Sequence, residues 1–222
     1  MLAEELINVA TPILRPTDSV GRAIELMEES GLHQLPLVDD ETYQGLLSEE
    51  TLMNVMDDDK ELSSLYLPSE PLHATTNQHI YQLIELANHY QLDTIPVLDE
   101  DHLYAGTIIV SELIAKFADL LGGQQKGAVV VLSMAHRDYS LSEISRLIES
   151  NNAKIISSYF THSETGGFDD NKLTLKLNQT DVSAILATFE RFGYEIDSVY
   201  ANTQVESPDK HRLDLLFRYL ET

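Results

Sequence analysis

The 222-residue chain contains no cysteine. Disulfides, thiolate zinc centres and cysteine nucleophiles are therefore excluded before any spacing is considered. Basic residues are scarce: 14 Lys and Arg stand against 37 Asp and Glu, for a formal net charge of -23. The scarcity is uneven, since positions 1–122 hold four basic against 23 acidic residues and positions 123–222 hold ten against 14. So acidic a surface repels phosphate backbones and anionic lipid, and neither nucleic acid nor membrane is an expected partner of the first part. No apolar run is long enough to span a bilayer. The start, MLAEELINVATP, carries acids where a secretory signal carries bases, and the expected location is cytoplasmic. HExxH, GxGxxG, Walker A and GxSxG patterns are all missing. His33, His73, His79, His89 and His102 are scattered, and the triplets Asp39-Asp40-Glu41 and Asp99-Glu100-Asp101 lack EF-hand spacing. Neither a catalytic residue nor a metal site is expected.

What is present is an internal repeat of about sixty residues. LHQLPLVDDETYQGLLSEETL (32–52) aligns with LDTIPVLDEDHLYAGTIIVSEL (92–113), matching Leu32 to Leu92, Pro36 to Pro96 and Asp39 to Asp99. After one inserted residue, Tyr43 meets Tyr104, Gly45 meets Gly106 and Leu52 meets Leu113. The match runs back through Ile24-Glu25-Leu26 and Ile84-Glu85-Leu86. Val20, Ala23, Ile24 and Met27 recur at helical spacing, with Asp18 or Ser19 as cap and Gly31 as stop. Then LPLV, an acidic turn and GLLS read as strand, hairpin loop and strand, followed by a second helix from about Ser48. One copy cannot bury both faces of so short a sheet, so two are expected to pack together.

This pattern, twice in about 120 residues, resembles a tandem pair of cystathionine-beta-synthase (CBS) domains, a Bateman module. The resemblance implies copies at 1–60 and 61–122, pseudo-twofold symmetry, and a sensor that binds adenosine-containing ligands in clefts between the copies. The cleft positions it assigns are His33, Pro36, Ser48, Thr51, Asp93, Pro96 and Glu112. In the family, Gly is followed by two apolar residues, a Thr or Ser, two variable positions and an Asp, the hydroxyl and carboxylate holding phosphate and ribose. The first copy has Ser48 for the hydroxyl but Thr51 for the acid; the second has Glu112 for the acid but Ile109 for the hydroxyl. Ser48 followed by acids and a leucine also reads as an ordinary helix N-cap. Only Arg15, Arg22, Lys60 and Lys116 could meet phosphate in this half, so S-adenosylmethionine or another neutral or cationic adenosine derivative suits the field better than ATP.

LGGQQKG (121–127) marks a linker, and the region 123–222 reads differently. GAVVVLSMA predicts a strand, and SLSEISRLIESNN a helix capped by Ser140 with Leu141, Ile144, Leu147 and Ile148 on one face. KIISSYFT and NKLTLKLNQ predict strands around the turn HSETGGFDDN; TDVSAILATFERFG predicts a helix, and YEIDSVYA a strand. The order βαββαβ is that of a ferredoxin-like sheet, within a chain of mixed α+β and α/β class. After a Bateman module it is similar to an ACT domain, which implies amino-acid sensing at the first strand-to-helix turn, here Arg137, Asp138 and Ser140. The whole order resembles that of acetoin-utilisation regulatory proteins. The tail predicts a helix over ESPDKHRLDLLFRYLET with Leu213, Leu216, Phe217 and Leu220 as an apolar stripe. A homodimer, a small-molecule effector and an unidentified protein target are the expected partners. Two readings remain open: a metabolite sensor signalling through dimer geometry or a partner, and an interaction protein whose ligand sites have degenerated.

Overall fold

The computed structural model describes residues 1–65, 72–135, 139–161 and 171–201. The predicted tail helix, the turn after KIISSYFT, and the candidates Arg137 and Asp138 lie outside them. The chain divides into two compact units, Met1–Phe117 and Ala118–Thr222, each with mixed helix and sheet.

In the first unit the elements follow the repeat. The first copy comprises α1 (Val20–Ser30), β1 (Gln34–Asp39), β2 (Thr42–Ser48) and α2 (Glu49–Met53). The second comprises β3 (Ala74–Thr75), α3 (Ile80–Tyr90), β4 (Thr94–Leu98), β5 (Tyr104–Ile109) and α4 (Val110–Leu120). Helix α1 starts where the Ser19 hydroxyl accepts from the Arg22 N–H (3.2 Å), and stops at Gly31, whose φ of 66° is the left-handed conformation a C-terminal glycine adopts at least cost. α2 is a single short turn, whereas its counterpart α4 runs eleven residues. The difference is local: after Asn54 the chain turns back, and the Asp58 and Lys60 carbonyls receive the Gly21 and Val20 N–H groups at the start of α1.

The two hairpins share their irregularity. β1 pairs with β2 antiparallel with a register shift between Leu37 and Val38, and β4 pairs with β5 with a shift between Val97 and Leu98, sixty positions on. Leu14 bridges Leu37 in parallel as Ala74 pairs with Val97. The cores match as well. Leu14, Val20, Ala23, Met27, Leu35, Leu37, Leu47 and Leu52 form one buried cluster; Ala74, Ile80, Leu83, Ala87, Ile95, Val97, Ile108 and Leu113 take the same positions in the other. On the paired helices, small Ala23 with large Met27 becomes large Leu83 with small Ala87, so volume is exchanged along one face while close packing is kept.

Equivalent residues of the two copies touch, as residues beside an approximate twofold axis do. At one end the His33 N–H donates to Asp93 Oδ2 (2.6 Å), and the Thr94 hydroxyl to the Gln34 carbonyl (3.0 Å). At the other, Val38, Tyr43 and Leu98 form a buried cluster against which Tyr104 packs. Burial, with the Tyr104 phenol nearby, pushes the Tyr43 phenol far above its ordinary pKa, and its hydroxyl donates to the Leu72 carbonyl (2.8 Å).

The lead-in segments are exchanged between the copies. A 3-10 turn at Ala3–Leu6 precedes the first copy, yet Ala3 and Leu6 are buried in the core of the second. A 3-10 turn at Leu62–Ser64 precedes the second copy, yet Leu62 is buried in the core of the first. The hydrogen bonds repeat the exchange: Ile80 N–H to Met1 O (3.2 Å) mirrors Val20 N–H to Lys60 O (3.0 Å), and Ala3 N–H to Gln78 O mirrors Leu62 N–H to Asp18 O, both 2.9 Å.

The second unit contains β6 (Val129–Ser133), α5 (Leu141–Glu149), β7 (Ile155–Thr161), β8 (Lys172–Leu177), α6 (Ser183–Arg191) and β9 (Glu195–Tyr200). The strand order is β7-β8-β6-β9, with every pairing antiparallel, the ferredoxin-like arrangement of βαββαβ. Leu173, Leu175 and Leu177 alternate inward along β8 and join Ile144, Leu147, Ile148, Ile185 and Phe189 from the helices in one core. Val182 does not lie within α6 as predicted but is its N-terminal flanking residue; the Asp181 carboxylate accepts from the Ser183 N–H (3.1 Å) and hydroxyl (2.8 Å) and begins the helix instead.

Candidate functional site

The first unit brings the sequence-derived candidates together in two places. His33 and Asp93 meet at the pseudo-twofold axis. Asp93 is half-buried: Oδ2 accepts from the His33 N–H, while Oδ1 is buried with no hydrogen-bond partner. The exposed His33 ring stands with Nδ1 2.8 Å from Glu49 Oε2, and that hydrogen bond raises the imidazole above its ordinary pKa, with a smaller push from Asp93. Ser48 ends β2 beside this pair. Its hydroxyl accepts from the Thr51 N–H (3.2 Å) and lies 2.8 Å from the Thr51 hydroxyl, so both hydroxyl candidates of the first copy are engaged with one another at the start of α2. Pro36 and Pro96 are buried inside β1 and β4, opposite Leu46 and Thr107.

Glu112 sits elsewhere, in the first turn of α4, where the helix dipole favours a carboxylate. It borders a cavity of about 320 Å³ lined by Glu5–Ala10, Glu112 and Lys116. The wall is held by the sheet. The Asn8 N–H donates to the Thr107 carbonyl (2.8 Å), extending the edge of β5, and the Asn8 carboxamide receives the Ala10 N–H on Oδ1 (2.9 Å). Asn8 Nδ2 then lies 3.5 Å from Glu112 Oε1, joining positions 104 residues apart. Ile7, also in this wall, is pressed against Gly106, whose φ of 141° belongs to the bulged hairpin and whose missing side chain leaves the space that Ile7 Cγ2 fills. Lys116 follows Glu112 by one helical turn and meets no carboxylate within ion-pair distance among the described residues, so its ammonium is available to the cavity. Thr11, immediately beyond the wall, carries a buried hydroxyl with no partner. The corresponding wall of the first copy falls partly within 66–71, outside the described residues.

Asn8 and the lining role of Lys116 are not contained in the repeat motif. Lys116 was legible only as one of four cations in an acidic half, and Asn8 carried no signal. In the second unit, the Ser140 hydroxyl accepts from the Glu143 N–H (3.4 Å) as the cap of α5, and the neighbouring Tyr139 ring packs 4.8 Å from Phe160. Among the described residues there is no group of three or more His, Asp or Glu side chains arranged to hold a metal ion, and no helix long and apolar enough to cross a membrane.

Comparison with known proteins bears on the first unit. Solved structures similar to this chain include a CBS domain pair/ACT domain protein from Thermotoga maritima, at 17% identity and TM-score 0.48 over 55% of this chain and 99% of that one. Another is CBSX2 in complex with AMP, at 20% identity and TM-score 0.47 over 53% and 96%. A third is the cytosolic domain of the Mg2+ channel MgtE in complex with ATP, at 17% identity and TM-score 0.45 over 52% and 48%. The family model of the CBS domain matches residues 3–58. Since the second copy repeats the first strand for strand and core position for core position, the first unit has the fold of a CBS-domain pair.

Proposed function

We propose that the chain is a non-catalytic regulatory protein that binds an adenosine-containing ligand in the cavity beside Glu112. The observation carrying this reading is the cavity itself: about 320 Å³, at the small end of ligand pockets, with two carboxylates, a carboxamide and one unpaired ammonium on its walls; of the carboxylates, Glu5 already accepts from the Leu2 N–H, which leaves Glu112 for the ligand. A carboxylate accepts from both ribose hydroxyls, and a single lysine suits one phosphate or none better than three. AMP or S-adenosylmethionine therefore fits the site better than ATP. The bound AMP and ATP of the similar structures belong to those proteins and point to the same chemical class. A thermal-shift panel of AMP, ATP, NAD, S-adenosylmethionine and the twenty amino acids tests the reading. An adenosine ligand at 100 times its dissociation constant is expected to add about 2.7 kcal/mol of apparent stability, and Glu112→Gln to remove that gain. No shift by any adenosine compound at millimolar concentration overturns it. The amino acids probe the ACT-like turn of the second unit.

The first copy favours the alternative of a degenerated site, because the hydroxyls of Ser48 and Thr51 are bonded to each other. One ligand per chain is the corresponding stoichiometry. We further infer a homodimer formed through α3 and α4, on which Tyr81, Tyr90 and Ile114 are exposed at 63%, 53% and 47%. Light scattering on the intact chain is expected to give twice the chain mass, and Ile114→Glu to give the monomer.

A further inference from the structure

The geometry points to a second small-molecule site, in the second unit, that takes a phosphorylated compound with an apolar or flat body. It lies at the end of the sheet where the 121–127 loop runs into β6 and β9 ends, a hollow of about 560 Å³. In a chain of net charge -23, no carboxylate among the described residues lines it, and two lysines do. Lys126 is on the loop and Lys176 on β8, where its Nζ reaches the Gly127 carbonyl at 3.4 Å. Neither meets a carboxylate within ion-pair distance among the described residues, so two ammonium charges share one hollow without neutralisation. An anion placed between them relieves that repulsion.

The loop adds donors. The N–H groups of Gln124, Lys126 and Gly127 receive no acceptor from the described residues. Gly127 is also confined: its φ is 156°, and a side chain there would run into the Leu177 carbonyl, so the loop enters β6 as backbone alone. Point-like ammonium groups and several single N–H donors suit a tetrahedral phosphate, whereas a carboxylate favours the planar fork of arginine, which the lining lacks among the described residues. The remaining wall is apolar and aromatic, with Val129 and the exposed Tyr200 ring, paired across β6 and β9. Inorganic phosphate alone leaves that wall uncovered, which selects a phosphate ester carrying a ring or short chain. This hollow is separate in sequence and in composition from the cavity beside Glu112, and the inference does not depend on that reading.

Calorimetric titration of the intact chain with phenyl phosphate tests the site, with phenol and inorganic phosphate as the two halves of the probe. Phenyl phosphate is expected to bind more tightly than either half, to weaken as salt is raised, and to lose about tenfold or more in affinity in the double variant Lys126→Gln, Lys176→Gln. The single variant Lys126→Gln, at an exposed loop position, is expected to weaken binding without touching the sheet. Glu112→Gln is expected to leave phenyl phosphate binding unchanged, and this separates the two sites. Undetectable binding at millimolar concentration, equal affinity in the lysine variants, or loss of binding in Glu112→Gln overturns the inference.

Discussion

Ser48 closes β2 and opens α2, and its hydroxyl is spent on the Thr51 N–H and the Thr51 hydroxyl. Replacing it with alanine is expected to cost about 1 kcal/mol of stability, the usual loss of an N-cap, read as a lower midpoint in urea. Affinity for an adenosine ligand is expected to stay the same, because the site proposed for it is the cavity beside Glu112. A neighbouring side chain titrates. The Glu49 carboxylate raises the pKa of His33 above 6.5, so the protonated ring binds its partner better in the folded state. The stability this gives is fully present below pH 6.5 and is lost as pH rises through the folded-state value. An NMR titration is expected to place the His33 midpoint above the usual histidine value, and Glu49→Gln to bring it down. Ser48 was readable from sequence both as a cap and as a ligand contact, since the same hydroxyl followed by acids serves either and the two roles are compatible; its bonds to Thr51 show the cap.

At the scale of elements, the repeated hairpin was legible because its Pro, Asp, Tyr, Gly and Leu recur at one spacing. Backbone and packing needs explain several of these recurrences, for the glycines sit at the register shift, and Leu52 and Leu113 anchor the following helices. The exchanged 3-10 turns were not legible. Ala3 and Leu62 share a position and little else, and a four-residue turn has no periodicity to detect. Leu62 is wholly buried in the first copy's core, so Leu62→Ala is expected to cost about 2–5 kcal/mol in urea unfolding. Gly106→Ala acts on the second copy by displacing Ile7 and straining a backbone at φ 141°. A loss of about 1–3 kcal/mol is expected, together with a smaller AMP-induced thermal shift, since Ile7 is part of the cavity wall.

For the whole molecule, the two units have separate cores. Among the described residues, Ala128 to Phe189 supply every buried member of one, and the buried residues between Ala3 and Leu113 supply the other clusters. The composition shift near 122 reflects this, since most of the acidic excess falls in the first part. Calorimetry of the intact chain is expected to show two transitions, of which AMP raises one and phenyl phosphate the other. A single transition moved equally by both compounds contradicts that independence. The βαββαβ order of the second unit could be read from alternation and helical spacing alone; the lysine hollow could not, because Lys126 and Lys176 are fifty positions apart and no motif links them.

The crossed lead-in segments constrain how such a pair is made and inherited. During synthesis, Ala3 and Leu6 leave the ribosome ahead of both copies but wait for their partners until Leu113 has been translated, while Leu62 finds its place as soon as it emerges. A deletion that removes either copy cleanly at the repeat boundary also takes a plug from the surviving one. The duplicated pair is thus the smallest piece that recombination can move intact.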